Sequence, residues 1–184
     1  MASNAKKPPL GLITLNQLRE RLSPDVAAQL HLACKRFVAE PATEPVLVLV
    51  EGLHRQGENM LAFILANATL EFLEDQTEQP DWLEALQITL AKIFHAMGSY
   101  QAAIVKLKSL LAAKNTHDRA EILGNLASVY KSMALETTDQ NKREQWLEES
   151  YQHYVQCFED KALANNYWLG VNALTIAAAR HHDD

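Results

Sequence analysis

From Ala120 to Ala179 the chain carries apolar helical stripes in succession, and that succession limits it to packed helical hairpins. Leu123, Leu126, Ala127, Tyr130 and Ala134 recur at helical intervals, which places them on one face of a helix. A polar break follows from Glu136 to Asn141. The next segment carries Trp146, Leu147, Ser150, Tyr151, Tyr154, Cys157 and Phe158 at similar spacing. After Glu159-Asp160-Lys161 a further apolar helix is expected from near Asn166 through Ala179. Leu126, Tyr130, Tyr154 and Phe158 are expected in one core.

A turn signature lies upstream. In Gly98-Ser99-Tyr100-Gln101-Ala102-Ala103-Ile104 a glycine turns the chain, an aromatic follows, and a small residue comes three positions later. Gly57-Glu58-Asn59-Met60-Leu61-Ala62-Phe63 repeats it with Asn59 in the aromatic's place, and the two glycines lie 41 residues apart. Leu126, Ala127 and Tyr130 supply the leucine, small residue and aromatic of a repeat's first helix. These features resemble the tetratricopeptide repeat (TPR). The longer stretches ILGNLASVYKSMALE, YQHYVQCFE and NYWLGVNALTIAAA are distinctive at Gly170-Val171-Asn172-Ala173. They resemble the TPR-like domain ahead of the kinase in apoptosis-signal-regulating kinases. That domain is the TRAF-binding region of MAP kinase kinase kinases and also occurs in bacterial signalling proteins. The resemblance implies an all-α, TPR-like array of antiparallel helical hairpins, an α-solenoid. It also implies a protein–protein interaction scaffold that regulates a signalling protein.

Composition agrees with helix. Apolar residues make up 48% of the 184 and charged residues 22%, with only six glycines and six prolines. A net charge of −6 argues against a nucleic-acid partner, which usually requires a basic face. Cys34 and Cys157 sit in apolar helical stretches rather than in a close pair, and read as core thiols of a reducing compartment. No apolar run approaches a membrane span, and Leu10–Leu15 is too short for a signal-peptide core before Arg19-Glu20-Arg21. A cytoplasmic location without a membrane partner is expected.

Residues 1–9 are expected to be disordered, and 10–184 to form a single TPR-like domain. Helices are expected at Leu15–Leu22 and from Ser23, an N-cap before Pro24, to Ala39. Val46-Leu47-Val48-Leu49-Val50 has the composition of a buried strand. Helix is the better reading, because a lone strand has no partner and the segment runs on to a stop at Gly57. Met60–Leu73 and a helix opening at Asp81 and ending at Gly98 follow. The last helix looks like a first helix with no second. The domain therefore reads as incomplete at its C-terminal end, or as closing that edge by self-association.

Chemistry is sparse. Gly52 to Gly57 has phosphate-loop glycine spacing, but Glu58 stands where lysine is needed. No nucleophile, zinc-binding or redox motif occurs, and His181-His182-Asp183-Asp184 does not build a fixed metal site. The reading is therefore a non-enzyme without cofactor or metal. In TPR arrays the first helices line a concave groove. Its expected residues are Ile88, Lys92, His95, Ser128, Lys131, Tyr167 and Leu174. Lys92, His95 and Lys131 would favour an acidic peptide or a C-terminal carboxylate. Members that clamp a carboxylate need asparagines where Lys92 and Ser128 stand. Asn172 is expected to bond a neighbouring loop or backbone. The rival function is a nucleotide- or small-ligand-sensing domain, with Trp146, Tyr151, Tyr154, Phe158, Tyr167 and Trp168 as its pocket; core packing is the plainer use of those rings.

Overall fold

A computed structural model describes residues 45–74, 76–113, 116–159 and 167–180, without the side chains of 45, 158, 159, 167–169, 179 and 180. The expected segment 1–9, the helices before Ala39, Cys34 and the His181–Asp184 end lie outside the described residues. The helices are α1 (Pro45–Arg55), α2 (Asn59–Glu74), α3 (Leu83–Ala96), α4 (Tyr100–Ala112), α5 (Arg119–Glu136), α6 (Gln140–Glu159) and α7 (Tyr167–Arg180). Among the described residues there is no strand. The fold is all-α, a TPR-like helical array. It falls into two compact units, one through Ile93 and one from Phe94.

In the first unit α1 and α2 pack as a hairpin. Val46, Leu47, Leu49, Val50 and Leu53 are buried while Val48 is 55% exposed. Alternation would have put Val46, Val48 and Val50 together; the observed spacing is helical, as expected. α2 turns Ala62, Leu65, Ala66, Thr69 and Leu73 inward, and the Thr69 hydroxyl satisfies itself on the Leu65 carbonyl at 2.8 Å. Asp81 does not open the next helix. It lies with Trp82 in a turn, and α3 starts at Leu83, whose N–H bonds the Pro80 carbonyl at 3.0 Å.

α1 and α3 end in the same way. Glu58 N–H reaches the Leu53 carbonyl at 2.9 Å and Gly57 N–H the His54 carbonyl at 3.0 Å. Ser99 N–H reaches Phe94 at 2.9 Å and Gly98 N–H reaches His95 at 3.0 Å. Both are Schellman caps with a left-handed glycine, φ +81° at Gly57 and +72° at Gly98. A Cβ at Gly98 would meet no atom within 4 Å, so only backbone strain opposes a side chain there. Gly98→Val is expected to cost more than about 1 kcal/mol in urea unfolding, because a β-branched residue is strained at positive φ. An unchanged midpoint would remove the cap from the account of this turn.

In the second unit α4 packs on α5, α5 on α6, and α6 on α7. α5 is covered on more than one side, with Ile122, Leu123, Gly124, Leu126, Ala127, Val129, Tyr130 and Ala134 buried. α5 stops where Thr137 turns extended, and Asp139 starts α6 by accepting the Lys142 N–H at 3.2 Å. Ser150 is fully buried and donates to the Ala127 carbonyl at 2.8 Å, which draws α6 close to α5. Leu123, Ala127 and Ala134 of α5 meet Leu147, Tyr154 and Cys157 of α6 and Ala173 and Ile176 of α7 in one cluster. Tyr154 therefore packs with Leu123 and Ala127. Leu126 and Tyr130 are buried a fraction of a turn further round α5, and the Phe158 side chain lies outside the description.

Candidate partner-binding face

The C-terminal half of α5 is tied to its neighbours by polar side chains within the second unit. His95 Nε2 lies 2.8 Å from Ser132 Oγ. One turn on, Tyr100 donates its phenol proton to the Glu136 carboxylate. That bond, then burial and the carboxylate charge, hold the Tyr100 phenol above its ordinary pKa. The His95 and Tyr100 rings sit 5.7 Å apart across the Gly98 turn. Towards α7, Lys131 Nζ donates to Asn172 Oδ1 at 3.3 Å. Asn172 thus serves a lysine side chain of α5.

The turn between α1 and α2 repeats part of this. His54 Nδ1 donates to Asn59 Oδ1 at 2.7 Å, and these positions match His95 and Tyr100 at the 41-residue repeat. A histidine one turn before each cap glycine therefore holds the first residue of the following helix.

The expected groove residues divide. Ile88 is 1% exposed and belongs to the buried side of α3, so it cannot line an open face. Helical spacing alone did not separate the buried side of α3 from its more open side. Lys92 is half-buried in the first unit. His95 and Lys131 are half-buried and engaged as described, while the Ser128 hydroxyl faces the Tyr154 phenol. Tyr167 begins α7 with its side chain outside the description, and Leu174 is 73% exposed. Ser132, Glu136 and Asn172 join His95, Tyr100 and Lys131 here. Only their positions on helix faces hinted at it.

A serine beside an imidazole is half of a nucleophilic site, but Ser132 lies within α5, where backbone N–H groups are spent on the helix and cannot cradle an oxyanion. Among the described residues no three His, Cys, Asp or Glu side chains gather to hold a metal ion. None of the described helices is long and apolar enough to cross a membrane. Trp146 and Tyr151 pack against the α5–α6–α7 cluster, so these rings of the aromatic-rich end contribute to the core.

No curated protein and no solved structure matches the chain. The model of the family described as Tetratricopeptide Repeats-Sensor matches residues 62–177, more than half of the 184, from within α2 to within α7. TPR-type helical domains are in general non-catalytic and serve as interaction or sensor modules. With its repeated capped hairpins and this match, the chain belongs to the Tetratricopeptide Repeats-Sensor family.

Proposed function

We propose that this chain is a non-catalytic scaffold of a cytoplasmic signalling protein and that the α5–α7 face receives an acidic segment of a protein partner. The observation that carries the reading is Lys131, a cation held at a half-buried position by Asn172 of the neighbouring first helix. A side chain fixed in this way loses less entropy on binding than a free lysine does. His95 and Ser128 stand on the same kind of helix, and family membership supports an interaction role. The resemblance to the TRAF-binding region ahead of the kinase in MAP kinase kinase kinases supports a regulatory place beside an effector. Val171 and Leu174, 55% and 73% exposed, offer α7 as a second contact for self-association.

Fluorescence anisotropy with a panel of acidic peptides tests the face. Lys131→Glu is expected to weaken binding about two- to fivefold, and more at low salt, in keeping with a partly screened charge pair. Equal binding by wild type and variant would end this assignment of the face. The family description favours one alternative, a small-ligand sensor. Thermal shift against nucleotides addresses it, since a ligand at 100 times its Kd stabilises by about 2.7 kcal/mol.

A further inference from the structure

Three helices of the second unit meet around Tyr130. Its ring lies parallel to the His153 imidazole, with centroids 5.7 Å apart and planes at 19°. The Lys108 ammonium stands 5.7 Å from the same ring centroid. Lys108 comes from α4, Tyr130 from α5 and His153 from α6, so the cluster joins α4 to the α5–α6 hairpin. The lysine is held above its ordinary pKa, first by the neighbouring Tyr130 phenol, with burial opposing.

His153 is 17% exposed, and its Nε2 is buried with no hydrogen-bond partner among the described residues. The nearest carboxylate oxygen, on Glu149 one turn back along α6, is 3.9 Å away, beyond hydrogen-bonding distance. A neutral ring can accept that placement at modest cost. A charged ring needs an acceptor on that nitrogen, and Lys108 adds a like charge nearby. The titratable and charged groups that face His153 are Lys108 from α4, Tyr130 from α5 and Glu149 from α6.

We infer that His153 is a proton-sensitive contact: neutral, it stacks on Tyr130 and secures α4 through that ring; protonated, it moves toward Glu149 and solvent and releases α4. Burial lowers its pKa, Lys108 lowers it further, and Glu149 opposes both. The folded chain therefore prefers the neutral ring. The contact is intact above the ordinary imidazole value of about 6.5 and is lost as pH falls from there through the folded-state value. α4 begins at Tyr100, which bonds Glu136, so its release also reaches the polar ties along α5. The device stands whether or not that face binds an acidic segment.

Amide hydrogen exchange of α4 and α7 between about pH 7.5 and 5.5, corrected for intrinsic exchange, tests it together with an NMR titration of the His153 ring. In the wild type, α4 is expected to lose protection on acidification more than α7 does. His153→Gln removes that excess loss, and Lys108→Gln moves the ring titration upward toward the ordinary value. An excess that persists in His153→Gln overturns the inference. So does a wild-type ring that titrates at or above the ordinary value, a readout that does not depend on either variant folding.

Discussion

Replacing Tyr154 with alanine is expected to cost about 3–5 kcal/mol, the range for truncating a buried aromatic. The ring is fully buried where α5, α6 and α7 meet, among Leu123, Ala127, Leu147, Ala173 and Ile176. Alanines at two of those positions are too short to reach into the hole, so relaxation recovers little of the loss. Burial first, with Cys157 adding and Ser128 opposing, pushes the phenol pKa up to about 12, so the side chain enters this core neutral. Tyr154→Phe keeps the ring and removes only the hydroxyl, and should cost less than about 1.5 kcal/mol. Urea unfolding of the two variants separates the packing of the ring from the hydroxyl. A cost below about 1 kcal/mol for the alanine variant would mean that the α6 seam is not a packed core.

Much of the fold was legible because it rests on local rules. Gly57 and Gly98 announce their caps through the one backbone conformation that glycine enters freely, and both are found there. The break from Glu136 to Asn141 carries Thr137 and Asp139, residues suited to stopping one helix and starting the next. The side-chain face was less legible. Lys131 meets Asn172 across 41 residues of chain, and His95 meets Ser132 across 37. Such pairings depend on how far each helix is rotated against its neighbour, which no stripe records. Ile88 shows the same limit from the other side, since a rotation of a fraction of a turn separates a groove residue from a buried one. Tyr130 draws its polar neighbours from α4 and α6, before and after it in the chain, and neither Lys108 nor His153 belongs to an apolar repeat. Periodicity finds what is buried together in oil; it is silent on which polar groups are brought together at the edge of that core.

Leu53→Ala should lower stability by about 2–5 kcal/mol, and it tests the most ambiguous stretch of the described sequence. Leu53 is 2% exposed on α1, and its carbonyl receives the Glu58 N–H that closes the cap. The substitution leaves that backbone bond in place, so any loss reports on packing. The buried side of α2 includes Ala62 and Ala66, whose small size lets α1 approach but leaves nothing to fill a void. Val48, two residues from both Val46 and Val50, supplies the control. In a strand those three valines would share one face, and truncating any of them would cost alike. In the helix Val48 points outward at 55% exposure while Val46 and Val50 are 3% and 0% exposed. Val48→Ala should therefore be neutral or slightly stabilising, since alanine is the better helix former by a few tenths of a kcal/mol. Urea unfolding followed by far-ultraviolet circular dichroism reads both variants. If Val48→Ala costs as much as Leu53→Ala, the register of α1 is wrong, and with it the packing that brings α1 against α2.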